Sequence, residues 1–159
     1  MKQKVFAFND LDKLLREIKR KKVVLVGGCF DIFHFGHLQF LQKAKKSGDI
    51  LVVILESDEF IKQKKLRNSI HTQKERAMIL SELQCVDAVL FIPYFTKDEE
   101  YFNLVKKIKP DIIAITKGDK QLENKKNQAR QVGSKVKEVS ILLNNLSSSN
   151  IRKILNSEL

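Results

Sequence analysis

Short apolar runs alternate along the chain with longer segments whose apolar residues recur at helical spacing. The run VVLVGG at residues 23–28 contains no polar residue, as expected for a strand that is buried on both faces of a sheet. Four later segments are rich in apolar residues in a similar way. We therefore predict five strands, at residues 23–28, 50–57, 86–92, 111–116 and 135–143.

Between these runs, the apolar residues follow the 3.6-residue period of an α-helix. Leu38, Leu41 and Ala44 recur at this spacing, and their segment ends at a Ser-Gly pair that suits a helix stop. Thr72 and Glu75 fit a capping box at the start of another helix. The predicted helices are residues 8–22, 36–47, 72–83, 98–109, 122–133 and 147–156.

Strands that alternate with helices predict an α/β fold with a parallel sheet and right-handed crossovers. We expect a Rossmann-like, doubly wound sheet of five strands. No repeat or linker divides the chain, so residues 1–159 are predicted to form a single domain, with an N-terminal helical extension (1–22) and a core (23–159). Residues 61–69, IKQKKLRNS, have few apolar residues and no helical period, which predicts a mobile loop.

Composition indicates the cellular compartment and the possible partners of this domain. A chain of 159 residues is long enough to bury a hydrophobic core without a bound metal ion or disulfide bonds. Its two cysteines are predicted to be free thiols in a reducing cytoplasm. The N-terminus lacks the apolar segment of a signal peptide, and no run could span a bilayer, so we expect a cytoplasmic protein without a membrane partner. The net charge of +11 suits a nucleic acid, a phosphorylated small substrate or simply a lysine-rich surface.

Candidate chemistry is concentrated in GGCFDIFHFGHLQFL, residues 27–41, which lies between the first core strand and the following helix. Ligands of open α/β sheets bind at this edge. Glycines allow a ligand to approach the backbone, and a helix N-terminus attracts anions. Only three histidines occur in the chain, and two of them, His34 and His37, flank Gly36. We predict a phosphate-binding site in which imidazoles replace the lysine of a P-loop.

Other interpretations of this segment are weaker. It matches neither the dinucleotide-binding nor the P-loop pattern of glycines. A zinc site lacks a third ligand at motif spacing, since His71 is isolated, and we predict no metal ligands in the chain. The two histidines could instead serve only to cap a helix. The preceding strand, the glycine pair and Asp31 favour a functional site.

The segment GCFDIFHFGHLQFLQKAKKSGD strongly resembles the cytidylyltransferase-like nucleotidyltransferase superfamily, whose signature is an aromatic-Asp pair followed by HxGH. The resemblance continues, in the family's order, through ESDEFIKQKK, KERAMIL with VDAVLF, KPDIIAITKGD and SSSNIRKIL. The chain resembles most the adenylyltransferase domain of ADP-heptose synthesis, which acts on heptose 1-phosphate. Departures such as Lys117-Gly118-Asp119, where that domain usually has Gly-Gly-Asp, leave the acceptor open.

This resemblance implies transfer of a nucleotidyl group from an NTP, expected to be ATP, to a phosphate monoester such as a sugar 1-phosphate, with release of pyrophosphate. A CTP-dependent glycerol-phosphate-type cytidylyltransferase and an FAD synthetase-like adenylyltransferase stay as alternatives. A further alternative is not an enzyme but a non-catalytic nucleotide- or RNA-binding module. The intact HxGH, lysine and serine segments argue against it, and we expect no nucleic-acid partner. A homodimer is an open alternative to a monomer.

The resemblance also implies roles for individual residues. His34 and His37 would contact the α- and β-phosphates and stabilise charge on the pentacoordinate phosphorus. Lys64 or Lys65 would bridge the donor and acceptor phosphates. Asp31 would either contact the acceptor or a metal, or hold its loop through backbone N–H groups, and we favour the structural role.

Further residues are predicted to contact the nucleotide. Arg76 could reach a phosphate or form an ion pair on a helix surface. Asp119 would lie near the ribose or base, or serve an ordinary turn. The serines at 147–149 could hold phosphates, cap a helix, or do both. Mg²⁺ is expected to arrive with the triphosphate. The full nucleotide-binding prediction is Gly28, Cys29, Phe30, Asp31, Gly36, Arg76, Gly118, Asp119, Ser147, Ser148 and Ser149.

Overall fold

The computed structural model describes residues 3–141 and residue 151. Within these residues, six parallel strands form one sheet in the order β1-β4-β3-β2-β5-β6. The strands are β1 (Val5–Ala7), β2 (Val23–Gly28), β3 (Ile50–Leu55), β4 (Ala88–Phe91), β5 (Ile112–Lys117) and β6 (Lys135–Ile141). The helices are α1 (Leu11–Ile18), α2 (Phe35–Lys45), α3 (Asp58–Lys65), α4 (Gln73–Ser81), α5 (Asp98–Ile108) and α6 (Leu122–Val132), with a 3₁₀ turn at Phe8–Asp10.

The α/β architecture and the parallel sheet are confirmed, but the predicted number of five strands is wrong for the described residues. The additional strand, β1, pairs in parallel with β4, with Val5 opposite Val89, and its central residue Phe6 is fully buried. Three residues are too short to reveal a strand period in a sequence. The segment predicted as a helical extension therefore contributes an edge strand to the sheet.

Helices cover both faces of this sheet. On one face, α1, α5 and α6 bury residues such as Leu14, Leu104 and Ala129. On the other face, α2 and α4 bury residues such as Leu41 and Leu80. The chain moves outward from β2 through β3 to β4 on one side, and through β5 to β6 on the other. The loops after β2 and β5 therefore meet at a topological switch point, where open α/β sheets bind ligands.

The loop predicted at residues 61–69 is also wrong in its first half, because α3 extends through Lys65. The Ser57 side chain caps this helix by accepting a hydrogen bond of 3.0 Å from the backbone N–H of Phe60. Acidic residues occupy the first turn and lysines the last, which matches the helix dipole. Ile61 is its single buried residue, and one residue cannot produce a helical period in the sequence.

No helix in the described part of the chain is long and apolar enough to cross a membrane. The predicted helix at residues 147–156 lies outside the described residues except for residue 151.

Candidate active site

His34 and His37 lie at the N-terminus of α2, directly beyond the end of β2. His34 is the N-cap residue, with an extended backbone, and its carbonyl accepts the backbone N–H groups of His37 at 2.9 Å and Leu38 at 3.2 Å. Its side chain makes no capping hydrogen bond. Instead, the two imidazoles stack with their centroids 3.7 Å apart and their planes 22° apart. The His34 side chain therefore does not serve as a helix cap, and Gly36 lies between the two histidines in the first helical turn.

Burial sets the charge of these imidazoles. It lowers the pKa of His34, and it lowers the pKa of His37 to about 4, with the neighbouring His34 acting in the same direction. Both rings are therefore neutral at pH 7. Their Nδ1 atoms are buried and have no hydrogen-bond partner among the residues that the structure describes. Such atoms normally find a partner, so a ligand that hydrogen-bonds these rings would stabilise the site.

The loop that leads to the histidines is held by Phe30. Phe30 is buried, adopts a left-handed backbone with φ of 47°, and places its ring edge against His37 at a centroid distance of 5.0 Å. A Cβ on Gly28 would lie 3.0 Å from a carbon of this ring, so a larger residue there would require the ring to shift. Burial, with the nearby Glu56 acting in the same direction, raises the pKa of the Cys29 thiol to about 11 and keeps it protonated. Phe30 and Cys29, predicted to contact nucleotide, thus support the loop from inside.

Asp31 connects this loop to the segment between α3 and α4. Its buried carboxylate accepts the backbone N–H groups of Ile70 at 2.8 Å and His71 at 3.2 Å, and it pairs with the Arg67 guanidinium at 2.5 Å. Burial opposes ionisation, but these hydrogen bonds outweigh it and lower the pKa of Asp31. Both carboxylate oxygens therefore have donors within the chain, which supports the role of holding the loop.

Arg76 is neither on a surface nor free to reach a phosphate in this structure. Its side chain is 0% exposed. The guanidinium donates to the carbonyls of Cys29 at 2.5 Å and His71 at 3.1 Å, and to the Asp58 carboxylate at 2.7 Å. One buried cation thus joins the loop after β2, the first turn of α3 and the segment before α4. The alternative of an ion pair on the helix surface is wrong in its location: the guanidinium does pair with Asp58, but two backbone segments cover the side chain.

Lys64 and Lys65 are both exposed in the last turn of α3. The charge of Lys65 lowers the pKa of Cys29 and that of Glu56, which both lie at the carboxyl edge of the sheet. The charges that act most strongly on these two groups do not include Lys64. This difference favours Lys65 as the lysine that faces the site.

Residues 25–154 match the family model described as cytidylyltransferase-like, so the match covers most of the chain. The chain belongs to the cytidylyltransferase-like family. The family predicted from the HxGH segment is therefore confirmed. Membership of the cytidylyltransferase-like family, together with the relatives described next, indicates a nucleotidyltransferase enzyme.

Known proteins similar to this cytidylyltransferase-like chain include two curated relatives and a crystal structure. The bifunctional protein HldE of Helicobacter hepaticus is 34% identical over 160 residues, which cover 100% of this chain and 32% of that protein. FAD synthase of Thermococcus kodakarensis is 49% identical over 100 residues, which cover 62% of this chain and 65% of that protein. A lipopolysaccharide core biosynthesis protein from Thermoplasma volcanium has a TM-score of 0.63 and 30% identity, over 76% of this chain and 96% of that chain. The chain thus spans about a third of the HldE relative's length.

The loop after β5 lies on the other side of the switch point. Gly118 has a left-handed backbone with φ of 80°, which favours glycine. The Asp119 carboxylate accepts the backbone N–H of Gln121 at 2.8 Å and pairs with Lys125 at 2.7 Å. These contacts are those of a turn that leads into α6. The serines at 147–149 lie outside the described residues, so their predicted phosphate contacts stay predictions.

The described residues contain no group of three or more histidine, cysteine or acidic side chains that could hold a metal ion. Asp31 is engaged by Arg67 and two backbone N–H groups, and Asp119 by Lys125. The donor set on these elements therefore does not form a magnesium site by itself.

Sequence reasoning missed several residues that organise this edge of the sheet. The Gln73 side-chain amide donates to the carbonyls of Leu55 at 2.9 Å and Ile92 at 2.8 Å, which joins the ends of β3 and β4. Glu56 follows β3 directly, is 8% exposed and accepts the Tyr101 hydroxyl. An acidic residue directly after a buried strand is a signal in the sequence that could have singled out Glu56. The amide of Gln73 reaches its partners only through the tertiary fold.

Proposed function

We propose that this chain transfers an adenylyl group from ATP to a phosphate monoester and releases pyrophosphate. The observation that carries the proposal is the stacked pair His34 and His37 at the N-terminus of α2, with unpartnered ring nitrogens at the switch point of the sheet. A helix N-terminus with neutral hydrogen-bond donors suits the phosphates of a nucleotide. The relatives named HldE and FAD synthase, with the resemblance to an adenylyltransferase domain, support ATP over CTP.

The proposed reaction needs no covalent intermediate on the enzyme. An oxygen of the acceptor phosphate attacks the α-phosphorus of ATP, and the bond from this phosphorus to the pyrophosphate oxygen breaks in line with the attack. His34 and His37, held neutral by burial, donate ring N–H groups to the α- and β-phosphates. Donors that are fixed before the reaction stabilise the charge that develops on phosphorus. The protein's part is therefore positioning and electrostatic stabilisation.

Lys65, at the end of α3, is proposed to neutralise the charge between the donor and acceptor phosphates. Mg²⁺ is proposed to enter with the triphosphate, where it would neutralise phosphate charge. No step of this mechanism depends on protein ligands to the metal.

A second candidate is formation of FAD from FMN and ATP. The observation that favours it is the identity of 49% over 100 residues with an FAD synthase. This candidate keeps the same donor and the same bond changes, and it differs only in the acceptor.

The test is pyrophosphate release by the purified chain with ATP or CTP, in the presence of sugar 1-phosphates, glycerol 3-phosphate or FMN, with the product identified by mass. We expect release with ATP and at least one acceptor. His37→Ala should lower turnover by about 10²–10³-fold, the usual loss for a preorganised donor. Lys43→Ala, at an exposed position of the same helix, is the matched control. Salt-dependent RNA binding without pyrophosphate release would instead support the binding-module alternative.

A further inference from the structure

The carboxylate of Glu56 lies at the same edge of the sheet as the histidines and has no assigned role in the mechanism above. Glu56 follows β3, and its backbone N–H donates to the Gly28 carbonyl at 3.1 Å, which places it beside the end of β2. Its side chain is 8% exposed. It is therefore a buried acid next to the loop that carries the histidines.

This carboxylate has few partners for a buried charge. The Tyr101 hydroxyl is its hydrogen-bond donor, 3.1 Å from each carboxylate oxygen, and no cation of the described residues lies within ion-pair distance. Arg76, which affects Glu56 from a distance, already donates to Cys29, His71 and Asp58. A carboxylate can accept about four hydrogen bonds, so Glu56 keeps capacity for a donor from a ligand.

Tyr101 fixes the position of this carboxylate. It lies on α5, and its ring packs edge-on against Phe95 with a centroid distance of 5.0 Å and an interplanar angle of 88°. The hydroxyl can donate only one proton, which is directed at Glu56. The pair is therefore oriented by the fold before any ligand binds.

The side of the sheet on which Glu56 lies is the second observation. Side chains alternate between the faces of a strand, so Glu56 follows Ile54, which packs with α1, α5 and α6, whereas Leu55 packs with α2 and α4. The histidines stand on α2 and thus belong to the opposite side. In-line displacement requires the acceptor to approach the α-phosphorus from the side opposite the leaving pyrophosphate. When the histidines hold the ATP on their side of the sheet, the Glu56 side remains for the acceptor.

We propose that Glu56, oriented by Tyr101, is a specificity-determining residue that binds a hydroxyl group of a polyhydroxylated acceptor phosphate. This inference rests on the proposed function, because it names part of its acceptor site. Lys65 and Lys125 also act on Glu56, so its surroundings are positive and suit a neutral hydroxyl better than an amine cation. Burial raises the pKa of Glu56 to about 7, and a group that both accepts and donates hydrogen bonds near neutral pH matches a hydroxyl.

The experiment compares hydroxylated acceptors with their deoxy analogues. Binding of glucose 1-phosphate, ribose 5-phosphate and glycerol 3-phosphate is measured by calorimetry without ATP, and the best binder is then compared with its monodeoxy analogues. A hydrogen bond to a charged group contributes about 1.5–3 kcal/mol, so one deoxy analogue should bind the wild type roughly 10–10²-fold more weakly. Glu56→Gln and Glu56→Ala should remove most of this preference, and Tyr101→Phe part of it. Glu59→Gln, an exposed acid on α3, should preserve it.

Kinetics provide the second measurement. Glu56→Gln should raise the KM for the hydroxylated acceptor at least tenfold while the KM for ATP stays within twofold. An unchanged deoxy preference in folded Glu56→Gln would overturn the inference, as would an equal rise in the KM for ATP. If Glu56→Ala does not fold, the nearly isosteric Glu56→Gln still decides the matter.

The two proposals fail in different ways. Acceptor binding that depends on Glu56, without pyrophosphate release, would refute the proposed function and support this site. Pyrophosphate release that is indifferent to Glu56 would refute this site alone. Failure of every hydroxylated phosphate to bind or react would overturn both.

Discussion

Replacing Arg76 by methionine tests whether this residue holds the site together or contacts the nucleotide. Methionine has a similar length and no charge. The substitution removes the donors to the carbonyls of Cys29 and His71 and the partner of Asp58. It also removes a side chain that is 0% exposed, so solvent has no direct path to replace those hydrogen bonds.

The expected cost follows from the three broken contacts. Each buried carbonyl left without a donor costs about 1–3 kcal/mol. The Asp58 side chain is 43% exposed and can recover water, so it adds little. The two buried carbonyls together therefore give an expected loss of about 2–6 kcal/mol. Since domains are stable by about 5–15 kcal/mol, this change should remove a large fraction of the free energy of unfolding.

Urea unfolding followed by circular dichroism measures the effect, with Lys74→Met as the matched control at an exposed position of α4. We expect the control to lie within about 0.5 kcal/mol of the wild type. A loss below about 1 kcal/mol for Arg76→Met, well under the expected range, would refute the structural role. If that small loss came with much weaker ATP binding, Arg76 would be a nucleotide ligand as the family resemblance implied.

Three further predictions concern other parts of the site. Changing both Lys64 and Lys65 to alanine should leave the Kd for nucleotide within several-fold while turnover collapses, and Lys65→Ala alone should cause most of the loss. If nucleotide binding falls in parallel with turnover, the lysines belong instead to the ground-state triphosphate site. Gly48→Ala should lower the free energy of unfolding by about 1–3 kcal/mol in urea, since its Cβ would lie 2.6 Å from a backbone oxygen; wild-type stability would contradict the packing. His37 and Glu56 should change stability with opposite signs as pH rises. The pKa of His37 is about 4 in the folded protein against an ordinary 6.5, so its contribution to stability is present above pH 6.5 and lost towards pH 4. The pKa of Glu56 is about 7 in the folded protein against an ordinary 4.5, so its contribution to stability is present below pH 4.5 and lost as the pH rises through 7. His37→Gln should therefore lessen the rise of stability between pH 4.5 and 6.5 and Glu56→Gln should increase it, and changes of the same sign in urea titrations would refute the assignment.

The sequence predicts the central sheet well because those strands are buried on both faces. Continuous apolar runs give β2 and β3 almost residue for residue. Where an element buries little, the same reasoning fails. The strand β1 has three residues, and α3 buries only Ile61. For α3, the signals were local: a serine cap, early acids and late lysines, which matter more in a short helix than a hydrophobic period does.

The position of the site was predictable, but its internal contacts were not. The histidines had to lie beyond the first core strand, at the switch point, whatever their side chains did. In contrast, the ion pair of Asp31 with Arg67 joins residues 36 positions apart in the sequence, and the hydrogen bond from Arg76 to the Cys29 carbonyl joins residues 47 positions apart. No local pattern encodes such pairs. Knowledge of the family suggested a phosphate for Arg76, and only the tertiary structure reveals that its donors are already engaged.

These engaged charges bear on the kind of phosphate site that we propose. Arg67 and Arg76 are bound to Asp31 and Asp58, so the guanidinium groups nearest the HxGH loop hold backbone segments in place. Around this loop, the groups of the described residues that are left to meet an anion are the neutral imidazoles and the N-terminus of α2, with lysines at the exposed end of α3. Neutral donors bind a ground-state triphosphate less tightly than fixed cations would, yet they strengthen as negative charge grows on the reacting phosphorus. A site of this kind directs its stabilisation to the transition state, and this is why the loss of His37 should appear in turnover more than in the affinity for ATP.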